Sequence, residues 1–400
     1  MKYTVVVAED EELLLNNLVQ KIQKADPDFQ VTGTAQTGEQ AFALVEKLTP
    51  DLVITDIRMP VMDGMALLTK VRSQFPFTKF IITTEGVFLL HTEQDKKQIK
   101  IITLGELNRR AEDIDTFIGT SEKQYSDKIA AAADSIAQCH KQKPLVLLSG
   151  PSGSGKTTTA YRIADALVKK GIKAIVISMD DYFVPGVIPP DENGRVDFEA
   201  PARVDCELLK KDLRTLAAGG EVRLPKFNFA DNSRQHGNAI RCDGNTVVII
   251  EGIHALNPDV TGKMHDSATF IYVSVRTRIA DEKGGLLHPS KIRLIRRLSR
   301  DKLFRGRDYH RTIEQFPSVQ RGESLYIMPY KHLADFDIDT FFPYELSVYR
   351  SVLAKLCDND FDECIRQVNR YSELPRFLSL IKEVPPEAVP ENSLIKEFIG

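Results

Sequence analysis

Apolar and polar positions alternate in blocks of regular length over residues 1–86. Tyr3–Ala8 is a short, continuous, β-branched apolar run, the pattern of a strand covered on both faces of a parallel sheet. Glu11–Lys24 carries Leu14, Leu15, Leu18 and Ile22 at helical spacing. Val31–Ala35 then predicts a strand, Glu39–Lys47 a helix, Leu52–Thr55 a strand, Met65–Ser73 a helix and Phe80–Thr84 a strand. Strands and helices alternating at these lengths predict an α/β fold with a doubly wound parallel sheet.

Beyond Gly86 the period changes. Val87–Thr92 and Gln98–Leu104 are apolar stretches around a polar EQDKK, the spacing of a hairpin. Leu107–Phe117 is charged and reads as helix or linker, and Ser121 stands as N-cap of an alanine-rich helix, Glu122–Lys141. A second α/β block opens with the strand Leu145–Ser149 and continues through Ala174–Ser178, Thr246–Ile250 and Thr269–Val275. The carboxyl-terminal stretch reads as helical, broken at Pro385 and Pro386. The 400 residues thus divide into 1–86, 87–120 and 121–400.

Composition narrows the functional classes. Lys and Arg total 53 against 56 for Asp and Glu, so neither a basic nucleic-acid coat nor an acidic disordered chain is expected. No apolar run approaches the ~18 residues of a membrane helix, and the amino terminus is no signal peptide. The five cysteines, Cys139, Cys206, Cys242, Cys357 and Cys364, are scattered without metal-site spacing and read as reduced thiols of a cytoplasmic protein.

Gly150-Pro151-Ser152-Gly153-Ser154-Gly155-Lys156-Thr157 satisfies G-x-x-x-x-G-K-[ST] between an apolar strand and the helix-compatible run Thr158–Lys170. Glycines there let backbone N–H groups converge on phosphate oxygens, with the helix N-terminus adding its positive dipole end. Lys156 is expected on the β- and γ-phosphates of ATP and the Thr157 hydroxyl on Mg²⁺. Asp180-Asp181 ends the next strand and offers a carboxylate to accept an acceptor hydroxyl's proton. Val247–Ile250 runs into Glu251, a further carboxylate for the metal. Arg293, Arg296, Arg297 and Arg300 share a helical face, with Arg305 and Arg307 beyond. That face reads either as a solvated basic surface or as a segment closing over phosphates; without interleaved aromatics, nucleic acid is not the expected partner.

In this order the motifs resemble the uridine kinase/phosphoribulokinase family of P-loop kinases, over roughly residues 121–400. They are GPSGSGKT, SMDDYF at 178–183, DFEAP at 197–201, LPKFNFADNSR at 224–234, VIIEGIH at 248–254, RRLSRDKLFRGRD at 296–308 and the tail NSLIKEFIG. The resemblance implies a nucleoside kinase and carries roles with it. Asp180 would be the base toward a ribose 5′-hydroxyl, Glu199 would contact ribose, Phe227 and Phe229 would lie near the base, and Glu251 would attend the metal. Arg297, Arg300, Arg305 and Arg307 would serve the lid and phosphate site. Taken alone, Phe227 and Phe229 could equally be core residues of a strand. Asn232 stands where pyrimidine-specific members carry a histidine, and Asp181 where a serine is common. ATP and Mg²⁺ are the implied cofactors, a nucleoside the implied acceptor and a homo-oligomer the expected assembly. Another small hydroxyl compound, such as a sugar phosphate, is the alternative acceptor.

The first block resembles the receiver domain of response regulators. Glu9, Asp10 and Asp56 would hold Mg²⁺, with Asp56, inside DLVITDIRMPVMDG (51–64), as phosphoacceptor and Thr84 or Thr83 as the hydroxyl residue. A histidine kinase would be its partner. After Gly86 the fifth strand ending in Lys-Pro is missing, so a truncated receiver fused to the kinase is expected. A signalling module with a merely nucleotide-binding output is the reading from another class.

Overall fold

The computed structural model describes residues 3–25, 29–56, 59–75, 78–83, 100–186, 197–283, 285–356 and 373–400. Two compact units result, Met1–Gln98 and Ile99–Gly400.

In the first unit the elements are β1 (Tyr3–Ala8), α1 (Glu12–Ala25), β2 (Phe29–Ala35), α2 (Gly38–Leu48), β3 (Leu52–Asp56), α3 (Gly64–Gln74) and β4 (Lys79–Thr83). The strands pair in parallel in the order β2-β1-β3-β4. Alternation along β1 divides the core between two faces. Val5 and Val7 pack with Ile54 against Leu15, Leu18 and Ile22 of α1. Val6 and Ala8 pack with Val53 against Phe42 and Val45 of α2 and Leu67 and Val71 of α3. Helices therefore cover both faces, as a doubly wound sheet requires. Thr37 and Asp63 cap α2 and α3, accepting from the N–H groups of Gln40 at 3.2 Å and Ala66 at 2.7 Å. The expected stretch Val87–Thr92 and the candidate Thr84 lie outside the described residues.

The second unit begins with β5 (Ile101–Thr103), α4 (Leu104–Arg110) and α5 (Ile114–Cys139). It continues through β6 (Leu145–Ser149), α6 (Lys156–Val168), β7 (Lys173–Ser178), α7 (Cys206–Ala217), β8 (Glu221–Asn228), β9 (Ser233–Arg241) and β10 (Thr246–Glu251). Next come α8 (Pro258–Thr261), β11 (Ala268–Ser274), β12 (Arg278–Ala280), β13 (Leu286–Leu287), α9 (Pro289–Arg305), α10 (Tyr309–Gly322), β14 (Phe336–Asp339) and α11 (Glu345–Leu356). Two short helices, Glu373–Leu380 and Lys396–Ile399, close the chain. The main sheet is wholly parallel, ordered β14-β11-β6-β10-β7. Every residue of β6, β10 and β11 is buried, which explains their unbroken apolar runs.

At the junction, the described part of the expected arm Gln98–Leu104 is Ile101–Thr103, which pairs in parallel with Arg278–Ala280; its expected hairpin partner Val87–Thr92 lies outside the described residues. The segment 107–120, expected as helix or linker, is no linker, because Leu104, Leu107, Ala111, Phe117 and Ile118 bury into the second unit's main core. The long helix accordingly starts at Ile114 under an Asp113 cap, which accepts from the Thr116 N–H at 3.1 Å. Ser121 sits inside it, buried, donating its hydroxyl to the Phe117 carbonyl at 2.7 Å. Apolar spacing continues upstream of Ser121 and outweighs its capping signal.

Among the described residues no helix is long and apolar enough to cross a membrane. Cys139, Cys206 and Cys242 are free thiols, while Cys357 and Cys364 lie outside the described residues.

Candidate active site

The strand β6 lies at the centre of the sheet and delivers Gly150–Gly155 to its carboxyl edge. A Cβ at Gly150 would collide with the Val273 carbonyl of the neighbouring strand. Gly153 and Gly155 adopt φ of 78° and 80°, the left-handed region that glycine enters without strain. Gly155 caps α6 without a side chain, so the first-turn N–H groups of that helix form an anion-binding end.

The loop's carbonyl side is held from outside. The Arg293 guanidinium donates to Ser152 O at 3.2 Å, Arg296 to Gly153 O at 3.1 Å, and the Thr340 hydroxyl to Ser154 O at 2.8 Å. Arg297 donates to the Ser152 hydroxyl at 2.5 Å. With these oxygens engaged, the N–H side of the loop is left for a ligand. Lys156 spans the loop, its Nζ donating to Pro151 O at 3.2 Å.

The basic helical face is not solvated. Arg293, Arg296 and Arg297 of α9 are 4%, 0% and 6% exposed, which removes the reading as a free charged surface. One buried carboxylate gathers the rest. Asp301 lies 2.8 Å from Arg300, 3.6 Å from Arg305 and 3.9 Å from both Arg297 and Arg307. Burial raises its pKa, but these guanidiniums outweigh that and hold its carboxyl below the ordinary range. Burial and the neighbouring Arg300 push Arg297 down to about 10. Four arginines against one acid leave a positive surplus beside the phosphate loop, and that surplus suits a polyphosphate.

Parallel pairing puts Glu251 opposite both Leu148 of β6 and Ser178 of β7. It is buried and accepts from the Thr157 hydroxyl at 3.2 Å and from Ser178. Desolvation raises its pKa, with Lys156 opposing. Thr157 and Glu251 thus offer an adjacent hydroxyl and carboxylate, a hard-oxygen pair fit for Mg²⁺. Asp180 follows β7 in the 3₁₀ turn Met179–Tyr182. It keeps a solvent-facing surface yet sits in a crowded cleft, and desolvation there holds its carboxyl above the ordinary value. Lys156, Arg203 and Arg305 pull the other way. Asp181 points elsewhere, pairing with Lys226 at 3.1 Å and accepting from the Phe227 N–H at 3.3 Å. Of the two aspartates, Asp180 is the one available to the cleft.

Glu199 interacts electrostatically with Arg297, Lys156 and Asp180, and desolvation raises its pKa. Gly322 makes room for it, since a Cβ there would overlap the Glu199 side chain. Phe227 is buried and Phe229 is 65% exposed. Their rings lie 5.1 Å apart, and Phe183 joins them at 5.8 and 6.2 Å. Arg203 stacks 4.2 Å above Phe183. Asn232 occupies the turn between β8 and β9 at φ 55°, its amide donating to Gly186 O at 2.6 Å.

Asp301 and His254 stand inside the motifs without a role assigned to them, and Arg203 lies outside the motifs. An acid embedded in RRLSRDKLFRGRD was the available signal for Asp301, and burial supplies the rest. His254 follows Glu251 and is 2% exposed; desolvation holds its pKa down at about 4, against the opposing pull of the Glu199 and Tyr326 backbone.

In the first unit, Glu9, Asp10 and Asp56 bring carboxylate oxygens within 4.8 Å of one another. Burial, with Asp56 adding repulsion, raises the Glu9 carboxyl to about 7, and its Oε2 has no hydrogen-bond partner. An orphaned buried oxygen among three acids fits a divalent cation.

A phosphate loop on the central strand of a parallel sheet, with acids along the same edge and arginines over the loop, defines a P-loop kinase. Residues 145–342 match the Phosphoribulokinase / Uridine kinase family and residues 5–105 the Response regulator receiver domain. A uridine kinase of Lactobacillus helveticus (strain DPC 4571) is 30% identical over 198 residues, spanning 48% of this chain and 85% of that protein. A uridine kinase of Borrelia duttonii (strain Ly) is 31% identical over 193 residues, spanning 48% and 84%. The chain therefore belongs to the phosphoribulokinase/uridine kinase family and carries a receiver domain in front of it. The receiver domain of AraT, a response regulator from Geobacillus stearothermophilus, is 28% identical with a TM-score of 0.20. That match covers 21% of this chain and 65% of that one.

Proposed function

We propose that the Ile99–Gly400 unit transfers the γ-phosphoryl group of ATP to the 5′-hydroxyl of a nucleoside. The observation that carries this reading is Asp180, an available carboxylate under the joint influence of Lys156, Arg203 and Arg305. In the reaction the acceptor oxygen forms a bond to the γ-phosphorus as the bond from that phosphorus to the β,γ-bridging oxygen breaks. The acceptor's proton passes to Asp180, and ADP leaves with its charge matched by Lys156 and the arginines around Asp301. Mg²⁺, when bound, neutralises phosphate charge; Thr157 and Glu251 are the residues that would hold it. Glu199 suits ribose hydroxyls, and the exposed ring of Phe229 offers a stacking face for a base. Asn232 gives one amide N–H to Gly186 and keeps its other N–H and its carbonyl oxygen for a base. The reaction would take place in the cytoplasm.

Asp180→Asn should lower kcat by ~10²–10⁴ with nucleotide binding retained. Undiminished turnover in that variant removes Asp180 as the base. A panel of nucleosides and sugar phosphates in an ADP-release assay decides the acceptor, and a preference for a sugar phosphate refutes the nucleoside assignment.

For the first unit we propose a cation held by Glu9, Asp10 and Asp56, with Asp56 accepting phosphoryl from a histidine kinase. The clustered oxygens and the unpartnered Glu9 Oε2 support it.

A further inference from the structure

The carboxyl-terminal tail, Asn392–Gly400, lies outside the matched family region, yet it packs against the phosphate loop at Gly155 and bonds to the helix that follows it. Leu394 is fully buried, and its Cδ1 lies 2.6 Å from where a Cβ of Gly155 would stand. Leu394 therefore fills the space behind the left-handed glycine that caps α6. Three residues on, Glu397 Oε2 accepts from the Thr158 hydroxyl at 2.5 Å, in the first turn of that helix. Phe398, also fully buried, lies 5.0 Å from the Arg296 guanidinium. Arg296 in turn donates to Gly153 O, at the loop's other left-handed glycine. Ser393 fastens the tail from the far side, its Oγ 3.1 Å from the Tyr344 hydroxyl, and Asn392 O accepts from Arg162 of α6.

We propose that this tail is part of the nucleotide site. Leu394 and Glu397 are positioning residues that hold the loop and the first turn of α6 in their phosphate-accepting form. Leu394 acts on Gly155 by contact, Glu397 on Thr158 by hydrogen bond, and Phe398 on Gly153 through Arg296. A loop held in its bound geometry spends less of its interaction energy on ordering when the anion arrives. The Glu397 charge near the first turn of α6 works against the phosphate, so a weaker ATP affinity in its absence reports positioning and not charge. This inference rests on the kinase reading only as far as nucleotide binding.

The test is the dissociation constant for ATP, measured on the full chain without any acceptor. Glu397→Ala and Thr158→Val should each weaken ATP binding by about fivefold, and the double variant should do no worse than either alone. In turnover assays the acceptor KM should stay within about twofold while the ATP KM rises. Leu394→Ala should weaken ATP more strongly. Since that core truncation also risks the fold, its thermal midpoint is read alongside and the Glu397 and Thr158 cycle decides. Unchanged ATP affinity in Glu397→Ala, additive effects in the double variant, or a rise confined to the acceptor KM would each overturn the proposal. A chain that binds ATP with this tail dependence but phosphorylates no nucleoside would refute the acceptor assignment and leave the tail's role standing.

Discussion

Arg296 and Glu345 form a two-pronged ion pair in which neither side chain has any exposure, with Nε to Oε2 at 2.8 Å and Nη2 to Oε1 at 3.0 Å. The pair does more than neutralise itself. Arg296 also donates to Gly153 O and to Thr340 O, and Thr340 reaches Ser154 O. A structural ion pair therefore fastens the phosphate loop to α11. The close carboxylate keeps the guanidinium charged despite burial, with its pKa above the ordinary value.

Removing one partner strands a charge with no water to receive it. Glu345→Ala should cost about 3–5 kcal/mol of stability, measured by urea unfolding of the Ile99–Gly400 signal. Replacing both residues by apolar ones of similar volume should recover much of that stability while still weakening ATP binding, since Gly153 O then loses its donor. A double variant with native ATP affinity would show that the pair serves stability alone.

Asp301 calls for a different outcome. The arginines around it repel one another, and its carboxylate lies within 3.9 Å of all four. Asp301→Asn keeps the shape and removes the charge. The guanidiniums should spread, and kcat/KM for ATP should fall by roughly tenfold or more, about 1.4 kcal/mol of transition-state stabilisation. Gain of net positive charge alone would instead tighten ATP, so the direction of the change in steady-state kinetics separates positioning from bulk charge.

The pH dependence of turnover follows from Asp180. A base works deprotonated, so activity should appear as pH rises through its pKa, which desolvation has raised. The Arg203 cation favours the charged carboxylate and lowers that pKa. Arg203→Met removes the cation, so the acid limb of kcat/KM should move to higher pH with the alkaline side unchanged. An acid limb that stays in place, or moves to lower pH, would disconnect Arg203 from the base.

Much of this was legible in the residues, and the failures have physical causes. Leu145–Ser149 was readable to the residue because every one of its side chains is buried, and Tyr3–Ala8 because its buried Val5–Ala8 core sets the pattern although Tyr3 is exposed and Thr4 half-buried. The positions of the loop and of Glu251 were readable because each follows or ends a fully buried strand, and that of Asp180 because it comes just after β7. What escaped depends on long-range packing. Arg293 and Arg296 look like any charged helix face until Glu323 and Glu345 meet them from elements 30 and 49 residues away. Segment 101–103 could not reveal its partner, since Arg278–Ala280 is remote in sequence. Ser121 offered a correct capping residue, but the apolar spacing upstream buried enough side chains to extend the helix past it.

The first unit yields the last prediction. Glu9 and Asp56 are buried at adjacent strand ends, with Asp10 exposed beside them. Glu9's raised pKa means the folded unit holds a proton that the unfolded chain releases near pH 4.5. Its stabilising effect is thus complete below that pH and lost as pH climbs through about 7. A divalent cation replaces the proton and restores stability by mass action, in proportion to the logarithm of its concentration over Kd. Amide hydrogen exchange in β1 and β3 at pH 8 should therefore slow on adding millimolar Mg²⁺, while exchange at pH 5 responds less. Glu9→Gln should abolish most of the Mg²⁺ effect and leave exchange at pH 8 slower than in the unmodified chain without metal. Asp56→Asn should also lose the Mg²⁺ effect and, in addition, any label taken up from acetyl phosphate. Protection indifferent to Mg²⁺ at pH 8 would mean that the three carboxylates form no cation site and that Asp56 lacks the metal its phosphorylation requires.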